Sequence, residues 1–210
     1  MPTSRFDDAA AMWDEQPARV TLARDIAKAI LAQVPVRPSM AAIDYGCGTG
    51  LLTLALRPAV QRITGVDSSS AMLAKLQEKL QATGVSDVDT RLLDLELQRP
   101  PDDMAADLIV SAMTLHHIAD ISKLLHAFHQ WLRPGGYLAL ADLDAEDGSF
   151  HQDATGVHHF GVDRRWLTAQ LSGMSLHDVD AITAHVVERP DAAGAPRRYP
   201  VFLVSGHIGT

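Results

Sequence analysis

Residues 40–50 read MAAIDYGCGTG, an apolar run that carries one acid, Asp44, and passes directly into Gly46, Gly48 and Gly50. A short apolar run stopped by glycine has strand character, and three glycines let a backbone pass very close to a ligand. In an open parallel sheet such a loop lies at the carboxyl end of the first strand, where ligands bind, and feeds the amino terminus of the next helix. The spacing is G-x-G-x-G. The dinucleotide fingerprint needs its third glycine one step later, where this chain has Leu51. That spacing, with the absence of a Tyr-x-x-x-Lys pair, argues against a nicotinamide-dependent oxidoreductase.

Outward from this stretch, further strands are expected at 62–67, 88–94, 108–113 and 137–142, separated by helix-patterned segments, a rhythm that reads as a mostly parallel α/β sheet. Met72, Leu73, Leu76 and Leu80 form one helical stripe, and Ile121, Leu124, Leu125, Phe128, Trp131 and Leu132 form another. Ser68, Ser69 and Ser70 offer N-cap oxygens to the first, and Pro134-Gly135-Gly136 stops the second. Upstream, Val20, Ala23, Ile26, Ala27, Ile30, Leu31 and Val34 mark a helix ended by Pro35 and Pro38. Downstream, a loose His-, Gly- and Asp-rich segment (142–163) precedes a short helix at 163–171. Strands follow at 177–187 and 199–205, joined by the turn sequence RPDAAGAP (189–196).

Asp67 closes the second strand, and a carboxylate there can accept hydrogen bonds from both hydroxyls of a ribose. Asp94 closes the third. Acids at the ends of three successive strands, 44, 67 and 94, are more than generic solvation.

With these residues in place the chain resembles the class I S-adenosylmethionine-dependent methyltransferases over residues 6–206. IDYGCGTG is similar to the family's first motif, GVDSSSAML to its second, LLDLE to its third, DLIVSAMTLHHI to its fourth and LRPGGYLALAD to its fifth. FDDAAAMWDEQPARV resembles the amino-terminal helices that cover the cofactor in small-molecule methyltransferases. The resemblance implies a Rossmann-like, seven-stranded, mostly parallel sheet with an antiparallel last strand and helices on both faces. Residues 1–39 would form an N-terminal helical cover and 40–210 the methyltransferase core. It also implies S-adenosylmethionine as cofactor, with S-adenosylhomocysteine as product. The Gly46–Gly50 backbone, Cys47 included, would lie under the methionine moiety, with Gly48 at its centre and Asp44 fixing the loop. Asp67 would hold the ribose, Ser68 and Leu95 would flank the adenine, Asp94 would accept from its amine, and Met72 would pack near the ring. Ser111 would sit beside the amino-acid part, Arg19 would meet the cofactor carboxylate, and Trp13 would close the pocket.

Methyl transfer from a sulfonium is a direct displacement, so alignment does most of the work, up to about 7–11 kcal/mol. A base helps where the acceptor must lose a proton. His116 and His117, after the fourth strand, are the candidates, one of them structural because neighbours at such a turn are expected to point different ways. His158, His159 and Phe160 are candidates, with His116, for the acceptor wall. His126 and His129 lie off the apolar stripe and are expected to be solvated. The acids Asp142, Asp144, Glu146 and Asp147 do not fit a calcium loop, since Gly148 comes one position late and Asp153 stands where a Glu is needed. They read as a solvated loop. No metal site is expected, because Ser111 supplies no acid at strand four for a magnesium-dependent type.

Eighteen basic against 26 acidic residues leave a net charge of −8, which opposes a nucleic-acid partner. The fourth motif agrees, since Ser111-Ala112-Met113-Thr114 lacks the Pro-Pro-aromatic run of nucleic-acid amino-methylating enzymes. Cys47 is the sole cysteine, no secretory leader is visible, and no apolar run approaches about 18 residues, so a cytoplasmic protein without a membrane partner is expected. The expected partner is a small-molecule methyl acceptor. A catalytically silent S-adenosylmethionine-binding regulator is the alternative, and the oligomeric state stays open.

Overall fold

The computed structural model describes residues 4–151, 153–190 and 195–209. Strand β1 (Ala41–Tyr45) is buried from Ala42 onward and pairs in parallel with β2 (Arg62–Asp67) on one side and β4 (Ala106–Ala112) on the other. Strand β3 (Val88–Leu92) extends the β2 side and β5 (Leu132–Leu143) the β4 side. The last strand, β7 (Pro196–Ile208), lies antiparallel between β5 and β6 (Leu176–Pro190), completing the order β3-β2-β1-β4-β5-β7-β6. The expected seven-stranded sheet is therefore present, mostly parallel with an antiparallel last strand. Chain direction across the sheet reverses between β1 and β4, and the crevice at their carboxyl ends is where such sheets take ligands.

Period-two alternation sorts the strand residues onto two cores. On one face Ile43, Tyr45, Ile109 and Leu140 pack against Leu124, Leu125, Phe128 and Trp131 of α5 (Ile121–Trp131) and Leu167 and Leu171 of α6 (Arg164–Gly173). On the other, Ala42, Ile63, Leu108 and Val110 meet Ile26 and Ile30 of α2 (Pro17–Gln33), Leu52 and Leu56 of α3 (Leu51–Leu56), and Leu73, Leu76 and Leu80 of α4 (Ser70–Thr83). Each large side chain fully buried this way contributes about 1.5–3 kcal/mol. Helix α1 (Ser4–Ala9) and a 3-10 turn (Ala10–Glu15) precede α2.

Some boundaries move. Strand β3 stops at Leu92, because Asp94 instead organises a turn: its side chain accepts from Glu96 N–H and its carbonyl from Leu97 and Gln98. Pro134 bars the helical conformation at Arg133, so α5 ends at Trp131 and β5 is already extended at Leu132. Pro134-Gly135-Gly136 becomes a bulge inside that strand, with Ala106 opposite Leu132 and Leu108 opposite Tyr137. Of the three serines, Ser69 is the N-cap of α4, accepting from Met72 N–H at 3.1 Å. Strands β6 and β7 run on until Pro190 faces Pro196. Residues 191–194 of the expected turn lie outside the described residues.

Asp44, buried at the end of β1, accepts a hydrogen bond from Thr53 Oγ1 at 2.6 Å, which pins α3 to β1 and closes the intervening glycines into an arch. Burial pushes the Asp44 carboxyl up to about 7, with the Asp67 charge adding to the rise and the Thr53 hydroxyl opposing it. Gly50 starts α3 at φ +82°, and a Cβ there would meet Leu76 Cδ1 at 2.4 Å.

Gly50→Ala combines a left-handed backbone with that clash and is expected to lower stability by about 1–3 kcal/mol; a urea midpoint equal to wild type would show that the arch is not so constrained. A carboxyl whose pKa is raised on folding contributes most stability at low pH and loses it as the pH rises through the folded value. Wild type should therefore lose stability relative to Asp44→Asn between about pH 4 and about pH 7. A pH-independent difference between the two in urea titrations would refute this.

Candidate active site

The arch crosses the end of β2, with Gly46 N–H and Cys47 N–H both donating to Val66 O at 2.7 and 3.0 Å. Asp67 fixes it from the side: Oδ2 accepts from Gly48 N–H at 2.7 Å and Oδ1 from Ser69 N–H at 2.8 Å. Burial pushes the Asp67 carboxyl up, while the N–H groups of Ser69, Gly48 and Ser68 pull it back and the Asp7 charge adds to the rise. A carboxylate has about four lone-pair sites, so acceptor capacity remains on Asp67 beyond these N–H groups. Gly48 sits at φ +53°, and a Cβ on it would find only Met72 Sδ at 3.9 Å, so space lies open above the arch. Cys47 packs its sulfur against Gly65, and burial pushes its thiol well up, which leaves an inert filler.

The other expected cofactor residues divide. Leu95 lines a cavity of about 240 Å³ with Tyr45, Glu96, Ile118, Asp120, Lys123 and Leu124. Met72 is buried beside the arch and Ser68 is half-buried. Ser111 is fully buried, and its hydroxyl donates to Tyr45 O at 2.8 Å. The residue placed against the arch from the β4 side is instead Thr114, whose Oγ1 lies 2.2 Å from where a Gly46 Cβ would be.

Trp13 and Arg19 come together, the guanidinium 3.7 Å from the ring centroid, and the chain preceding α2 is tied to the arch by acids. Asp7 accepts from Ser69 Oγ at 2.6 Å and Ala71 N–H at 3.3 Å. Asp14 accepts from Thr49 Oγ1 at 2.5 Å and pairs with Lys79 at 2.5 Å. Lys79 also donates to Thr49 O. Phe6 meets the His117 ring edge-on at 5.1 Å.

Beyond β4 the backbone of Met113 is left-handed, φ +56°, and turns Leu115–His117 into a 3-10 turn beneath β5. His116 is buried there. Its Nδ1 lies 2.6 Å from Oδ1 of Asp142, whose Oδ2 accepts His116 N–H at 3.2 Å. Asp142 is fully buried, not part of a solvated loop as expected. Burial alone would push its carboxyl up. The His116 ring and the N–H groups of Leu143 and His116 outweigh this and hold it below the usual carboxylate range. Because Asp142 accepts, Nδ1 of His116 carries the proton and Nε2 presents a lone pair, with no partner among the described residues. His117 donates Nδ1–H to Gly156 O at 2.8 Å. Burial and the neighbouring His116 push it down to about 4.

The rings of His116 and His117 lie side by side, centroids 4.0 Å apart and tilted by 45°, while their Nδ1 atoms go to different partners. His151 joins them at 5.2 Å from His116, pushed down to about 4 chiefly by burial and by the neighbouring His116, with its Nε2 buried and without a partner among the described residues. The expected wall residues lie around this turn. His158 and His159 N–H both donate to His116 O, His159 Nε2–H is spent on Ile118 O, and Phe160 stays exposed over Gly148. Asp144 is engaged by Arg164. Among the described residues, no group of three or more His, Cys, Asp or Glu side chains is arranged to hold a metal, and no helix is long and apolar enough to cross a membrane.

Asp142, His151, Asp7 and Asp14 are absent from the sequence-derived set. Asp142 carried a usable signal, since it is another acid at the carboxyl end of a parallel strand, beside β4. His151 carried none.

A family model described as a methyltransferase domain matches residues 43–140. The chain is 31% identical over 149 residues to an uncharacterized methyltransferase of Bacillus pumilus, covering 70% of this chain and 66% of that one. It is 33% identical over 130 residues to trans-aconitate 2-methyltransferase of Variovorax paradoxus, covering 60% and 47%. The structure of a SAM-dependent methyltransferase from Aquifex aeolicus superposes with a TM-score of 0.68 at 19% identity, over 99% of both chains, and so shares the fold. The chain spans about half the length of the first curated relatives it matches, 56%, 51% and 47%. The residues present fit the cofactor of such enzymes: space over Gly48 that a Cβ would fill, spare acceptor sites on Asp67, and the cavity beside Leu95. The chain belongs to the class I S-adenosylmethionine-dependent methyltransferases, and S-adenosylmethionine is its cofactor.

Proposed function

We propose that the protein methylates a small-molecule acceptor by direct displacement, without a metal, with His116 taking the acceptor's proton and Asp142 positioning His116. The buried His116–Asp142 pair carries this reading, because it fixes the ring tautomer in the turn that adjoins the glycine arch and leaves Nε2 for a proton. Bound S-adenosylmethionine supplies a methyl group already activated on a sulfonium. The chain's own residues bind, orient and move a proton. The Gly46–Gly50 backbone and Asp67 would hold the methionine and ribose parts; Ser68, Met72, Asp94 and Leu95 the adenine; Arg19, stacked on Trp13, the carboxylate. Asp44 and Ser111, both buried, would act only through the backbone they brace.

When His116 accepts a proton at Nε2, its positive ring lies 2.6 Å from an ionised carboxylate that the fold already holds charged. His117 and His151 stay neutral above about pH 4 and so do not repel that ring. Burial keeps water from the pair, with His116 3% and Asp142 0% exposed. A small acceptor follows from the walls available, which are the chain before α2, the turn after β4 and residues 144–160. Metal independence is supported by the engagement of both Nδ1 atoms and by the absence of an acid at Ser111.

Calorimetry should show S-adenosylmethionine or S-adenosylhomocysteine binding, weakened by about 1.5–3 kcal/mol in Asp67→Ala, the range for hydrogen bonds to a charged group. Unchanged affinity would remove Asp67 from the site. Incubating a metabolite extract with labelled methyl donor should yield a labelled small molecule. His116→Gln and Asp142→Asn should cut that turnover roughly a hundred- to ten-thousand-fold while leaving cofactor affinity intact. Full activity in both would dismiss the base, and tight binding with no labelled product would favour the silent regulator.

A further inference from the structure

The cluster left unused is positive. Arg5 and Arg189 come from opposite ends of the chain and flank the same short segment after β5. Arg5 donates to Asp153 O at 3.1 Å and Thr155 O at 2.8 Å. Arg189 donates to Phe150 O at 2.9 Å, and its guanidinium lies 4.2 Å from the Phe150 ring centroid. Between these anchor points is His151, whose ring meets the Phe150 ring at 5.0 Å and whose buried Nε2 has no partner among the described residues. Neither arginine has an acid partner among the described residues, although the chain carries 26 acids and seven other arginines are paired with one. Carbonyls and an aromatic face hold them in place without neutralising them. Their charges reach inward, each depressing the proton affinity of both His151 and Arg19.

Two fixed, uncompensated guanidiniums beside neutral imidazoles form a site for a planar or tetrahedral oxyanion, since Arg presents a fork matched to carboxylate and phosphate. His117 and His151 stay neutral above about pH 4, and the buried carboxylate of Asp142 is already satisfied by His116.

We propose that Arg5 and Arg189 bind an anionic group, carboxylate or phosphate, on the methyl acceptor, placing its reacting heteroatom at His116 with His151 Nε2 as a second hydrogen-bond partner. This deepens the methyltransferase reading and rests on it for the identity of the ligand, but binding can be measured without turnover.

The test titrates S-adenosylhomocysteine-loaded protein at low salt with citrate and, separately, with inorganic phosphate. Saturable binding of one of them is expected, and the one that binds identifies the group. Arg5→Gln and Arg189→Gln should each weaken it at least about tenfold, and Arg189→Lys should recover part of the loss, with S-adenosylhomocysteine affinity unchanged in the Arg189 variants. Arg189 lies on β6, outside the chain that precedes α2, so its variants separate anion binding from the packing of Arg5. The proposal is overturned if neither anion binds, if Arg189→Gln binds as wild type does, or if Arg189→Gln loses S-adenosylhomocysteine in proportion. Any of these would leave methyl transfer itself standing; failure of wild type to bind S-adenosylhomocysteine would instead defeat the methyltransferase reading.

Discussion

One carboxylate couples the two loops on which the site rests. Asp67 accepts an N–H from Gly48, in the β1–α3 connection, and another from Ser69, which caps α4. A hydrogen bond to a charged group is worth about 1.5–3 kcal/mol, enough to hold left-handed glycines in one arrangement rather than several. Gly46 is then pressed on Thr114 and Gly50 on Leu76, so the arch has packing below and space only above, at Gly48. The carboxylate that would receive a ribose is thus also the one that shapes the loop beneath it.

Two fully buried carboxylates show how differently the same burial can end. Asp44 has one hydroxyl donor and a like charge nearby, and burial prevails, pushing it up to about 7. Asp142 has an imidazole and two N–H groups, and these prevail, holding it charged. Environments that push paired titratable groups apart separate structural from chemical roles. Asp44 is suited to bracing α3, whereas a carboxylate held charged under His116 is suited to the proposed proton transfer.

The sheet was legible because its code is local: apolar runs, glycine stops and helical stripes each report on a few neighbouring residues. So was the arch, whose glycines and terminal acids are contiguous. The histidine cluster was only half legible. His116 and His117 could be named, but their close approach depends on the left-handed turn at Met113, and no residue preference announces a positive φ at methionine. Asp142 was hidden by its neighbours, since Asp144, Glu146 and Asp147 make the segment look solvated, while the strand register buries Asp142 fully and only Asp147 of the others is exposed. His151 and the two arginines depend on contacts between residues more than a hundred positions apart, or on an irregular segment with no period to read.

Those long-range contacts also differ in strength from the core they rest on. Helix α2 buries Ile26, Ala27 and Ile30 against the sheet and shares the hydrophobic energy of that face. The chain before it has Ala10 as its one buried apolar residue among those described, and it is held by Asp7, Asp14, Arg5 and the rings of Phe6 and Trp13. Partly exposed ion pairs contribute about 0–1 kcal/mol each, so this segment sits at the low end of the local stability range, where elements that admit ligands are found. Its acids close on the glycine arch and its arginine closes on the segment after β5. One weakly held segment therefore bridges the glycine arch and the segment after β5 that carries the proposed acceptor side.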